Sequence, residues 1–117
     1  MRVDELLVLC KKAPDLPVYL VDVQTRVRTR VVDLNAWPHV MVLVPMPKGG
    51  GYSAATGAVL AAAMEYALYE SQRLHIRWRD EIAVAQIGHV TDVRVLAGFV
   101  AKASGHIELL TASIKRG

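Results

Sequence analysis

His39-Val40-Met41-Val42-Leu43-Val44-Pro45-Met46-Pro47-Lys48-Gly49-Gly50-Gly51-Tyr52-Ser53 runs straight into an alanine-rich stretch, 54–73. Residues 40–44 are apolar at every position, which is the pattern of a central strand covered on both faces. After the glycines come Ala54, Ala55, Gly57, Ala58, Ala61 and Ala62, small on every side, with Glu65, Glu70, Gln72 and Arg73 arriving late. The spacing predicts a helix over 53–73, one end buried and the other exposed. Small residues four apart let such a helix sit close to a sheet or a second helix, because the side chains at the contact set the interaxial distance.

Upstream, Val3, Leu6, Leu7 and Cys10 fall at helical spacing, and Pro14 ends the run. Asp4 suits the N-cap and Lys11-Lys12 the negative end of a helix over 4–12. Asp15-Leu16-Pro17 is a turn. Residues 18–23 form an apolar strand broken only by Asp22. Residues 26–33 alternate, with Val27, Thr29 and Val31 opposite Arg26, Arg28 and Arg30, as in a half-buried strand. A turn at 35–38 leads into the central strand, so a three-stranded meander precedes the glycines.

Downstream, 74–79 alternates again, with Leu74, Ile76 and Trp78 opposite His75, Arg77 and Arg79. Residues 82–87 make another short strand, hairpinned to it across Asp80-Glu81. Thr91 is a good N-cap for a third helix carrying Val93, Leu96, Ala97, Val100 and Ala103, stopped by Ser104-Gly105. Residues 106–114 finish as a strand. The expectation is a single α+β domain over 1–117, with one mixed or antiparallel sheet packed by two to three helices, in the order α-βββ-α-β(β)-α-β.

Composition narrows the class. A chain of 117 residues with 53% hydrophobic and 21% charged residues has material for one real core. Cys10 is the single cysteine, which excludes an intrachain disulfide and suits a cytoplasmic setting. The longest weakly polar stretch, 54–64, is about half of the ~20 residues a membrane span needs, so no membrane partner is expected. A net charge of +3 permits a polyanion without requiring one.

Three groups of residues carry chemistry. A strand that empties through glycines into a helix start is an anion-binding device, because free backbone N–H groups and the helix dipole converge there. Lys48, Gly49, Gly50, Gly51, Tyr52 and Ser53 are the candidate contacts for such an anion. No Gly-Lys-Ser/Thr closes the loop, which excludes a Walker A loop. The simpler reading is a flexible strand-to-helix connection. Next, the arginine faces 26–30 and 77–79 would form a positive platform if their strands were neighbours. Arg26, Arg28, Arg30, Arg77 and Arg79 are therefore candidate nucleic-acid contacts, against a simpler reading as a solvated sheet face. Finally, His39, His75, His89 and His106 lack metal-ligand spacing, and no serine or cysteine sits in a nucleophile motif, so no catalytic or metal residue is assigned.

Three resemblances add expectations. Lys48-Gly49-Gly50-Gly51-Tyr52-Ser53, after Val44-Pro45 and before an apolar helix, resembles motif A of GNAT-type acetyltransferases. That likeness implies coenzyme A held by loop amides, although Lys48 replaces the usual Arg/Gln and Ser53 the last small residue. The order βββ-α-β-α-β resembles that of the RNase H-like fold, which implies metal-holding carboxylates at Asp22, Glu65 and Asp80. Val3-Asp4-Glu5-Leu6-Leu7, continuing to Lys12-Ala13-Pro14-Asp15-Leu16-Pro17-Val18-Tyr19, is similar to the start of many small bacteriophage-encoded proteins. The expectation that follows is a small non-enzymatic accessory protein of a phage or mobile element. It would bind a protein partner or itself, as a homodimer, through the second helix and the basic sheet face. An acyl-CoA-dependent transferase and a nucleic-acid binder are the alternatives.

Overall fold

Two helices cover one face of a curled mixed sheet in the computed structural model, which describes residues 1–37, 39–86, 89–90 and 93–113. The elements are α1 (Val3–Lys12), β1 (Val18–Asp22), β2 (Arg28–Trp37), β3 (Val40–Pro45), α2 (Gly57–Leu74), β4 (Ala83–Gln86), β5 (His89–Val90), β6 (Val93–Ala101) and β7 (His106–Ser113). The sheet has the order β5-β4-β3-β2-β1-β7-β6, with the two-residue β5 at one end. β1–β2, β2–β3 and β6–β7 are antiparallel, while β1–β7 and β3–β4 are parallel. The α+β class and the α-βββ-α opening hold as expected. No helix among the described residues is long and apolar enough to cross a membrane.

Alternation decides the core. Val18 and Leu20 of β1, Val31 and Leu34 of β2, Met41 and Leu43 of β3, Val95 of β6, and Ile107 and Leu109 of β7 point inward. They meet Leu6 and Cys10 of α1 and Leu60, Ala61, Met64 and Ala67 of α2. Full burial of a side chain such as Leu60 or Met64 stabilises by roughly 1.5–3 kcal/mol. The sheet curls until β4 comes into contact with β6. The chain's first residues bridge to the segment just before β4: Val3 N–H donates to Asp80 O, Ile82 N–H donates to Met1 O, and the backbones of Arg2 and Glu81 pair. Met1 also donates to Val95 O on β6.

Three expectations about elements are corrected. The third helix is a strand, β6, hairpinned to β7 from Ala101↔His106. Positions 93, 97 and 100 are apolar at helical spacing, whereas the strand turns 93, 95, 98 and 100 to one face because its register shifts between Val95 and Ala97, which hides the period of two. Gly98 in the middle costs a helix about 1 kcal/mol and three valines add to that. Ser104-Gly105 is the hairpin turn, with Gly105 at φ +70°. The expected cap at Thr91 and the strand end at Ile114 lie outside the described residues.

Residues 75–79 are not a strand either. α2 ends on His75 in the left-handed region, and the chain then runs beside the tip of the β2–β3 hairpin. There Arg79 N–H donates to His39 O, and His39 Nδ1 lies 3.1 Å from Arg77 O. Ile76 and Trp78 are half-buried, which accounts for the alternation without a ladder. The turn expected at 35–38 is strand through Trp37, because β2 keeps its register with β3 as far as Trp37↔Val40.

Candidate functional site

β2 serves two neighbours in succession. Its residues 28–30 pair with β1, and 31–37 pair with β3, with a register shift between Val31 and Asp33. At this bend β1 and β2 separate, and the chain beyond the glycines fills the gap. Ala55 N–H donates to Val31 O at 2.8 Å, Val18 N–H donates to Ala55 O at 3.0 Å, and Thr56 bridges to Pro17. Ala55 is buried. Because 55 and 56 are committed to the sheet, α2 starts at Gly57 rather than at Ser53 as expected.

The start of α2 is closed by protein groups. Gly57 N–H donates to Leu16 O and Ala58 N–H to Pro14 O, both at 2.9 Å. Val59 N–H donates to the Thr56 hydroxyl at 3.4 Å. The orphan donors of a helix start, which an anion would use, are therefore spent on the turn after α1 and on the Thr56 cap. The C-terminal end of α1 and the N-terminal end of α2 also meet here, so their dipoles attract. The coenzyme A expectation depends on free donors at this helix start and loses that support.

The glycines lie ahead of this junction, as an open loop. Gly49, Gly50 and Gly51 have φ of +96°, +69° and +95°, with open space where a β-carbon would stand. Met46 N–H donates to Arg30 O, which aligns the loop's start with the first residues of β2. The loop then folds over that end of the strand. Arg28, Thr29, Arg30, Met46, Gly50, Gly51 and Tyr52 line an open cleft of about 350 Å³. Part of the anion set (Gly50, Gly51, Tyr52) thus shares a site with part of the nucleic-acid set (Arg28, Arg30).

The remaining candidates sit elsewhere. Lys48, Gly49 and Ser53 are exposed in the same loop without lining the cleft. Arg26 lies in the β1–β2 turn at φ +63°. Arg77 and Arg79 stand by the β2–β3 hairpin tip, at the far end of a ten-residue strand from Arg28. That length is about 30 Å at strand rise, so the two arginine groups form no common platform. The acidic trio does not converge either. The Asp22 carboxylate accepts N–H bonds from Gln24 and Thr25, Glu65 pairs with Lys11 at 3.2 Å, and Asp80 stands beside the chain's first residues, its backbone carbonyl accepting from Val3 N–H. Among the described residues no group of His, Cys, Asp and Glu could hold a metal ion.

A second surface lies on α2. Its buried side carries Gly57, Leu60, Ala61, Met64, Ala67 and Ser71. On the opposite side Val59, Ala62, Tyr66 and Tyr69 form a stripe about 80° wide at 100° per residue. Val59, Tyr66 and Tyr69 are 52%, 68% and 64% exposed. An outward helix face is ordinarily charged, and this one is aromatic and aliphatic. The signal was present in the 59, 62, 66, 69 spacing but was masked by the alanines around it. The meeting of Arg28 and Arg30 with the loop had no local signal, since it depends on where β2 changes neighbours.

No family model, no curated protein and no solved structure matches this chain.

Proposed function

We propose that the protein acts as a binding module that pairs with a second copy of itself through the outer face of α2. The observation that carries this reading is the stripe Val59, Ala62, Tyr66, Tyr69, with its 3-4-3 spacing and solvent-facing tyrosines. That spacing is the seam pattern of paired helices, and tyrosines are enriched where interfaces draw most of their energy.

The stripe is complementary to itself. In an antiparallel pair centred level with position 64, Tyr66 stands opposite Ala62 of the partner subunit, and Tyr69 opposite Val59 of the partner subunit. Each large ring thus meets a smaller side chain, as a two-fold interface requires. The flanking charges are already neutralised within one copy, Lys11 on Glu65 and Arg73 on Glu70 at 2.8 Å. Two copies therefore approach without opposing unpaired like charges.

Light scattering on the eluting peak tests the reading. A mass about twice the 12.8 kDa of the chain, falling to one copy in Tyr66→Glu with the circular-dichroism spectrum unchanged, supports it. A single-copy mass for the parent protein at about 100 μM, or a dimer that persists in both Tyr66→Glu and Ala62→Glu, rejects it.

A further inference from the structure

The cleft between β2 and the glycine loop combines features that neither element shows alone. Arg28 and Arg30 are two apart on one strand, so they project from the same face, about 7 Å apart. Both are exposed, and among the described residues no carboxylate pairs with either. The nearest acid along the chain, Asp33, accepts the N–H of Leu34 at 2.8 Å, and Asp22 is occupied by its own turn. Across the ladder Arg30 faces Tyr19, whose other neighbour Glu108 lies 3.2 Å from His106 Nε2. The guanidinium groups are therefore uncompensated, and a planar fork of donors matches a phosphate.

The opposite wall adds two things. No described group accepts from the N–H of Gly51, Tyr52 or Ser53, so these donors are available to a ligand. Tyr52 lines the cleft with 62% of its surface exposed. An open aromatic ring beside unpaired arginines is the combination that binds an unstacked base and its backbone. A duplex hides its base faces and gives such a ring nothing to stack on.

We infer that this cleft binds single-stranded nucleic acid, with backbone phosphates on Arg28 and Arg30 and a base on the Tyr52 ring. The site is separate from the α2 stripe, so it stands or falls independently of self-association.

The probe is a fluorescein-labelled single-stranded thymidine 12-mer, followed by anisotropy at 20 mM and 150 mM salt. Binding is expected to weaken with salt, and Arg28→Ala and Arg30→Ala to reduce the log–log salt slope by about 0.7 each. Tyr52→Ala is expected to weaken binding by roughly 5- to 100-fold while leaving that slope intact. Arg77→Ala/Arg79→Ala, at the far end of β2, is expected to change nothing. A 12-mer carrying 5-iodouracil is expected to crosslink the unmodified protein at Tyr52, which needs no variant to fold. The inference is overturned by any of five results: no binding at 20 mM salt, binding indifferent to Arg28 and Arg30, a duplex bound as tightly, full competition by millimolar inorganic phosphate, or crosslinks confined to other residues.

Discussion

Gly57 meets Ala13 at backbone contact: a β-carbon on Gly57 would lie 2.5 Å from the carbonyl oxygen of Ala13 and equally close to that of Cys10. Real β-carbons do not approach backbone oxygen so closely, and here both obstacles are main chain. This contact lets the first N–H groups of α2 reach Leu16 and Pro14. It therefore joins the two helices and closes the anion-type helix start in one arrangement.

Gly57→Ala is accordingly expected to destabilise the fold by about 1–3 kcal/mol, the range for overpacking a site that cannot yield. Thermal unfolding measures it. Gly50→Ala is the contrast, since nothing stands within 4 Å of that position and only its φ of +69° opposes a side chain. An unchanged melting temperature in Gly57→Ala would show that the helices can move apart cheaply.

His75 ends α2 in the left-handed region at φ 56°, with Ile76 N–H returning to Ser71 O at 2.8 Å. A side chain held there costs roughly 1–2 kcal/mol, of which glycine's larger unfolded-state entropy gives back about 0.5–1. His75→Gly should therefore raise stability by up to about 1 kcal/mol in a urea titration. A loss would mean that the imidazole contributes more than its backbone strain costs.

These two positions also show what was legible in the chain. The apolar run of β3, the alternation of β2 and the small-residue face of α2 each encode a local period, and each was recoverable. The closure at Gly57 was half legible: the glycine signalled close packing, but its partner is the turn after α1, more than forty residues away. β6 reads as a helix because Val93, Ala97 and Val100 fit the helical period, while a register shift between Val95 and Ala97 breaks the strand period. Pairing with β7 makes the segment a strand, and that is a tertiary contribution. The cleft was not legible as one site, because its arginines and glycines meet only where β2 exchanges β1 for β3.

Cys10 is fully buried in the core under α2, and burial raises its thiol to about 11. The thiolate is the reactive form, so the native protein should react with a thiol reagent at pH 8 only as fast as it opens. Addition of denaturant should accelerate labelling by orders of magnitude. Labelling of the native protein at the rate of a free thiol would place Cys10 outside the core.

Asp22 closes the β1–β2 turn, its Oδ1 accepting N–H bonds from Gln24 at 2.8 Å and Thr25 at 2.9 Å. The Thr25 and Gln24 amides hold its carboxyl below the ordinary carboxylate range. The folded state thus favours the ionised form more than the unfolded chain does, whose value is about 3.9. The stabilisation is complete above that value and is lost as pH falls through the lower, folded one. Asp22→Ala should therefore unfold at lower denaturant than the parent protein at pH 7, with the two midpoints converging toward pH 2. Carbon-detected titration of the Asp22 carboxyl gives the direct check. A midpoint at or above the ordinary value, or a gap between the two proteins that does not change with pH, would show that the turn keeps its shape without the carboxylate.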